Sequence, residues 1–344
     1  MMMKKLSRRE FIGMSAALAG MATLPRAAWA KGSVVGAVYP GTWDEAFRKI
    51  VAPALMKNAG IQLDLLPLFA VEQIAKAKAS RGRPDFDAFT LDPGPAATGL
   101  ADGLFEPFDV SKVPNAAKLP PGLVTPYGVP VAAQFVGIAY NPKKFKEPPK
   151  TWADLFREPY VSRLGLTGFQ TTFGTVSIIE IAKQFGGSVT NVEPFFAELK
   201  KVLDKVAVIG APAAMAGLFQ QGQCDIMYTN TQTVGSLKAR GVDVEFVAPA
   251  SGIATFFTTM HIPKGAEHVP QAYSYINTIL SEPVQAALMQ PPYFFAPVNV
   301  DVKLDGSLPI KSLAEMQSMV QHDWSQINPL RSGWIERFNK EVAR

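Results

Sequence analysis

The sequence predicts a two-lobed α/β protein, and three observations carry that prediction. Short apolar strands alternate with helical stretches along nearly the whole chain. Two long apolar strands, Val131–Tyr140 and Ala254–Ile262, bracket the middle third. The residues that follow a removable N-terminal segment are too many for one small core and suit two domains of ordinary size. Each lobe is expected to be a mainly parallel sheet flanked by helices, with the two long strands crossing between lobes. The first lobe is then discontinuous in sequence.

The N-terminal segment has to be set aside first. Lys4, Lys5, Arg8 and Arg9 form a basic front, a short apolar stretch runs from Phe11 to Leu24, and Ala28-Trp29-Ala30 places small residues at −3 and −1. This is a signal peptide with cleavage expected after Ala30, and its apolar core is too short to span a bilayer. Ser7-Arg8-Arg9-Glu10-Phe11-Ile12 resembles the twin-arginine export signal, which addresses folded proteins to the periplasm. The alternative is an ordinary secretory signal with two adjacent arginines. No Cys lies near the cleavage site to take a lipid anchor.

Cleavage changes the charge argument. The precursor carries a net charge of +5, but residues 1–30 hold five basic residues and only Glu10 as an acid. The remainder has 29 basic and 28 acidic residues, so the basic balance is no evidence for nucleic-acid binding. Later stretches are not long and apolar enough to cross a membrane. The single cysteine, Cys224, can form no intramolecular disulfide, and Cys224-Asp-Ile-Met-Tyr reads as a buried strand with an inert thiol. Stability must come from core packing, for which 48% apolar composition suffices.

The elements follow in order. Val34–Tyr39 is a short strand; Pro-Gly-Thr opens a helix, capped by Thr42, that runs to about Asn58 and ends at Ala59-Gly60. Ile61–Leu68 is strand-like and Val71–Ala79 helical. Phe86–Leu91 is a third strand, and Asp92-Pro93-Gly94-Pro95 starts a helix with an Asp cap and early prolines. Repeated βαβ units with apolar strands imply a parallel sheet covered on both faces. After the long strand to Tyr140, Thr151–Phe156 is a short capped helix and Leu164–Thr167 a strand. Thr171-Thr172-Phe173-Gly174-Thr175 opens a helix through Phe185. Helices around 192–206 and 213–221, the strand Asp225–Thr229, a helix from near Gln232 and the strand Val242–Val247 complete the middle third. The lobes are expected at 31–134 plus 256–302 and at 135–255 plus 303–344.

Several chemistries find no support in the sequence. His261, His268 and His322 have no Cys, His or carboxylate neighbour at metal-ligand spacing, so neither a metal site nor a cofactor is expected. There is no phosphate-binding Gly-Lys-Ser/Thr loop, no Gly-x-Gly-x-x-Gly after a strand and no Gly-x-Ser-x-Gly elbow. No carboxylate pair is singled out for acid–base work, and no catalytic residue is nominated.

Local phrases then carry a resemblance. They are Gly137-Ile138-Ala139-Tyr140-Asn141-Pro142, Pro148-Pro149-Lys150-Thr151-Trp152-Ala153-Asp154-Leu155 and Ile262-Pro263-Lys264-Gly265-Ala266. Ser281-Glu282-Pro283-Val284-Gln285, Asp323-Trp324 and Arg331-Ser332-Gly333-Trp334-Ile335-Glu336-Arg337-Phe338 follow them. In this order the chain resembles bacterial periplasmic solute-binding proteins of ABC transporters, of the iron(III) and polyamine (spermidine/putrescine) type. The resemblance implies the type II periplasmic-binding-protein fold, a cleft that closes on a solute about hinge strands, and recognition of the closed form by an ABC permease in the inner membrane. It also implies a binding protein rather than an enzyme, expected to be a monomer.

The turns that reach the cleft edge of such sheets give the candidate ligand-binding residues. In the first lobe these are Tyr39, Thr42 and Trp43 of the first βα turn, Asp92 at the end of the third strand, and Gln134 on the outgoing crossover. In the second they are Gln170, Thr171 and Thr172 at a helix start, where unpaired N–H groups and the dipole favour an anion. Asn230 and Thr231 end a strand, and Phe256 and Thr258 lie on the return crossover. Packing is the competing reading for Trp43 and capping the competing reading for Asp92 and the threonines.

Departures from the family carry the substrate argument. Iron binders of this kind place two adjacent tyrosines where this chain has Gln232-Thr233. Polyamine binders place carboxylates at the helix start after Thr167 and near Thr258, where this chain has Thr171-Thr172 and Thr258. Burying ammonium groups without carboxylates is costly. The expected cargo is a small organic anion or zwitterion, with Asp92 as the partner of an amine. Polyamine or iron(III) binding by the same fold, and an exported periplasmic enzyme, are the alternatives.

Overall fold

The computed structural model describes residues 32–343; the signal segment and its cleavage site lie outside them. Nine strands are described. β1 (Ser33–Val38) and β2 (Gln62–Pro67) form a parallel pair, and β1 also touches the approach to β3 (Phe89–Leu91) through a parallel Gly36–Ala88 bridge. A larger sheet runs β3-β9-β4-β7-β5-β6, with β8 (Glu245–Val247) beside β4. Here β4 is Val129–Tyr140, β5 Leu164–Leu166, β6 Val208–Ile209, β7 Ile226–Asn230 and β9 Ala254–His261.

Pairings outside the long strands are parallel: β1 with β2, β5 with β6 and β5 with β7. Every antiparallel ladder involves β4 or β9. The first half of β4 pairs with β9, from Val129–Met260 to Val136–Ala254, and its second half pairs with β7, from Val136–Asn230 to Tyr140–Ile226. One strand of this sheet therefore serves two partners in succession, β9 along its first half and β7 along its second. β4 is a run of twelve residues whose first eleven are buried, as a strand covered on both faces must be.

Two cores flank this crossing. The first gathers Val34, Phe47, Leu55, Phe135, Tyr275, Ile276 and Val298; the second gathers Val136, Trp152, Leu166, Phe169, Ile178, Phe195 and Phe338. Side chains from Leu304 to Met319 pack against the first core, and Trp324, Ile327, Phe338 and Val342 against the second. The turn-rich segment before Val320 thus packs with the first core although it follows the last residue expected in the first lobe.

One cap differs from expectation, and so does one helix type. The first helix starts at Thr42 without a side-chain cap; Gly41, at φ 80°, makes the turn that a side chain would strain, and Thr42 is the first helical residue. That helix also contains a π-helical turn at Phe47–Val51 before continuing as Ala52–Ala59. Thr151 and Asp154 form the expected capping box ahead of Trp152–Phe156, which is 3₁₀ rather than α.

Cys224 lies two residues before β7 and is fully buried against Met215. Burial, with the Asp225 carboxylate beside it, pushes the thiol up to about 12. The thiolate fraction at neutral pH is then negligible. A thiol reagent such as iodoacetamide is expected to leave the native protein unlabelled and to label it in denaturant. Stoichiometric labelling of native protein would contradict the packing.

Candidate ligand-binding cleft

The ends of five βα units and one residue of the C-terminal helix meet in a cleft of about 410 Å³, inside the range of roughly 300–1,000 Å³ usual for small-molecule sites. Its walls are built where strands hand over to helices, because there side chains and unpaired N–H groups face outward from the sheet edge.

From β1, Tyr39 and Trp43 enter the cleft. Trp43 is also core: its ring stacks on Phe295 at 4.3 Å and meets the edge of Tyr39 at 5.5 Å. Trp43 thus packs in the core and also lines the cleft. From β2 come Phe69, Val71 and Glu72 at the start of helix Ala70–Ala79. The Glu72 carboxylate accepts from the Phe69 N–H at 2.7 Å, a capping contact that also suits its charge to the helix start.

Asp92 stands at the N-cap position of helix Pro93–Ala101, but its carboxylate does not cap that helix. Pro95, at the third helical position, removes one of the two donors a cap would serve. Instead Oδ2 accepts from Thr172 Oγ1 at 2.9 Å and Oδ1 from Thr258 Oγ1 at 3.0 Å. Tyr39 lies beside the carboxylate, which together with burial pushes its phenol pKa up, although its hydroxyl makes no hydrogen bond of ordinary geometry. Burial pushes the Asp92 carboxyl above its usual range, opposed by the hydroxyls and by the charge of Arg331.

The second wall begins at Gln170-Thr171-Thr172. The Thr171 hydroxyl accepts from Gly174 N–H at 3.1 Å and so caps helix Thr172–Gln184. Thr172 is spent on Asp92. The pair expected to hold an anion thus already has internal partners, one as a cap and one as a donor to a carboxylate. Asn230 caps helix Thr231–Ala239 through Thr233 N–H at 2.9 Å and donates to Gln134 Oε1 at 2.8 Å, tying β7 to β4. Phe256 lines the floor. Of the remaining candidates, Thr258 supports Asp92 from behind, Thr231 faces a separate recess with Phe294, and Thr42 is exposed away from the cleft.

Sequence reasoning missed Phe69, Glu72, Phe173 and above all Arg331. The first three follow from the rule that every βα turn on one edge shares a rim. Arg331 follows from no local signal, since it sits mid-helix in Trp324–Glu341, far along the chain. Its Nε donates to Phe169 O at 3.0 Å and Thr175 Oγ1 at 3.1 Å, its Nη2 donates to Gln170 O at 2.9 Å, and its guanidinium covers the Trp324 ring at 5.6 Å. Burial lowers its pKa, offset in part by Asp92; an arginine nonetheless stays charged. The approach needs Gly94, where an added Cβ would lie 3.1 Å from Arg331 Nη1 and 3.2 Å from Trp324. Asn328, one turn earlier, donates to Gly94 O at 2.6 Å.

The raised pKa of Asp92 has a consequence for stability. A carboxyl that binds its proton more tightly folded than unfolded destabilises the fold when ionised, and that cost vanishes as pH falls below the ordinary carboxylate range. Asp92→Asn is therefore expected to raise the melting temperature at pH 7, with the gap to the wild type closing as pH is lowered toward about 4. Melts that show the variant destabilised, or a gap independent of pH, would contradict this.

Comparisons with known proteins agree with this architecture. A family model described as bacterial extracellular solute-binding protein matches residues 25–317. The putrescine-binding periplasmic protein SpuD of Pseudomonas aeruginosa is 21% identical over 274 residues, covering 72% of this chain and 74% of the relative. An ABC transporter structure from Clostridium perfringens superposes with a TM-score of 0.74 at 23% identity, over 90% of this chain and 99% of the other. A GABA receptor does so with a TM-score of 0.74 at 21% identity, over 89% and 96%. The strand that pairs first with β9 and then with β7, the paired cores and the family match over most of the chain lead to one conclusion: this chain belongs to the bacterial extracellular solute-binding proteins and has their two-lobed type II fold.

Proposed function

We propose that this protein is the solute-capturing component of an ABC importer. In this reading it is exported through its twin-arginine signal, matured after Ala30 and acts in the periplasm as a monomer. It clasps a small organic anion or zwitterion between its lobes and presents the closed form to a membrane permease. It binds its solute and does not transform it.

The observation that carries the cargo class is the mixed charge of the cleft. Arg331 lines it together with Asp92 and Glu72. A solute with an acidic group gains from the guanidinium, and one with an amine gains from the carboxylates. GABA, named for one structural neighbour, bears both groups. A second reading, a diamine, is favoured by the putrescine-binding relative and by the two carboxylates. It has to place an ammonium group near Arg331, where like charges repel in a partly desolvated site.

The test is a thermal-shift screen of amino acids, small carboxylates, phosphonates, polyamines and iron, since a ligand that binds the native state raises its melting temperature by mass action. The reading expects shifts from acids or amino acids and recovery of the solute unchanged. Shifts from spermidine, putrescine or iron alone would replace the cargo, and conversion of a bound solute would replace the binding role.

A further inference from the structure

We propose that Arg331 of the C-terminal helix is the specificity-determining residue of the cleft, reading the carboxylate of an amino-carboxylate solute and excluding the matching diamine. The inference rests on the solute-binding reading above and goes beyond it by assigning the discrimination to one side chain.

Three observations support the assignment. Arg331 supplies the only cationic side chain among the described residues that line the cleft. Its guanidinium is pre-ordered: Nε and Nη2 are spent on Phe169 O, Thr175 Oγ1 and Gln170 O, and the plane lies over Trp324. Nη1 makes none of these bonds and lies against Gly94 at the first turn of helix Pro93–Ala101, next to Asp92. An arginine held by backbone acceptors on one edge keeps donors on the other, so little rotamer entropy remains to be lost when an anion arrives.

The partners of the other charged groups reinforce the division. Thr172 donates its hydroxyl to Asp92, while the Thr171 hydroxyl accepts from Gly174 N–H, so of that pair only Thr171 keeps an O–H to offer an anion. Asp92 and Glu72 remain as acceptors for the amine end. The solute class is an amino carboxylate whose acid end lies at Arg331 and whose ammonium end lies toward Asp92. A diamine of equal length satisfies the carboxylate side but sets a second cation against Arg331, where unfavourable charge works as exclusion.

The experiment compares three probe series of two to six carbons: amino carboxylates, their primary amides, and the matching diamines. Affinities are measured by calorimetry on wild type, Arg331→Gln and Arg331→Lys. In the wild type the acid is expected to bind about 30-fold or more tighter than its amide, the scale of a charge-assisted hydrogen bond. In Arg331→Gln this ratio should fall to within about threefold, and diamine affinity should rise. Arg331→Lys, which keeps the charge but loses the fork, should give an intermediate ratio. A purely structural role for Arg331 would weaken acid and amide alike and leave their ratio unchanged, and that result overturns the proposal. So does a wild type with no preference for acid over amide, or one that binds only diamines. If Arg331→Gln does not fold, the wild-type ratio and the Lys variant decide. Tight capture of some other solute would remove the role of Arg331 and leave the solute-binding reading intact, whereas capture of no solute of any class would remove both.

Discussion

Replacing Phe169 by alanine is expected to lower the unfolding free energy by about 3–5 kcal/mol, the usual cost of removing a buried aromatic ring. Phe169 is fully buried at the centre of the second core. Its ring meets Trp334 at 5.5 Å, Phe196 at 6.1 Å, and Phe195 and Phe338 at 6.2 Å. These partners come from two helices, Glu193–Val202 and Trp324–Glu341, which cannot both close on an alanine, so a cavity remains. The residue also precedes the cleft by one position, and its carbonyl accepts from Arg331 Nε. Loss of the ring therefore loosens the arginine as well as the core. Urea titration followed by circular dichroism gives the midpoint and slope; a loss below about 1 kcal/mol would mean that the aromatic cluster collapses around the gap.

Asp92→Ala carries the largest expected effect on binding, about 100-fold or more. The carboxylate joins three parts of the molecule: its own turn after β3, Thr258 on the crossover strand β9, and Thr172 at the helix start of the other lobe. Hydrogen bonds to a charged group contribute about 1.5–3 kcal/mol each. Alanine leaves both hydroxyls without their acceptor, removes the charge that faces Arg331, and takes away one partner of an incoming amine. Because the Thr172 contact spans the lobes, part of the loss falls on closure itself. Calorimetric titration of the solute found by the screen measures it, and an affinity within about threefold of wild type would remove Asp92 from the site.

The fold was largely legible in the sequence because its signals are local. Asp225–Thr229 reads as a buried strand from composition alone, and β7 occupies Ile226–Asn230. The length and apolar character of Val131–Tyr140 marked it as a strand that passes between lobes, and β4 pairs with β9 and then with β7. What resisted reading was which side chain pairs with which. Asp92 looks like a cap because Asp before Pro usually is one, yet Thr172 and Thr258, distant in sequence, claim its oxygens. Thr171 and Thr172 look alike as neighbours, but one faces its own helix and the other the opposite lobe. Arg331 gives no sign at all, because a helix packed on one lobe and touching the other can project a side chain into the cleft only once both are folded. Turn chemistry predicts the rim, and tertiary packing decides its charge.

The central claim, capture of a small solute between two hinged lobes, is tested most directly by small-angle X-ray scattering of the mature protein. Profiles are collected without solute and at saturation with the solute identified by thermal shift. In the proposed mechanism the lobes swing about the crossing strands β4 and β9, so the account predicts a smaller radius of gyration and a changed profile on saturation. Superimposable profiles at a concentration where calorimetry shows the site filled would contradict it.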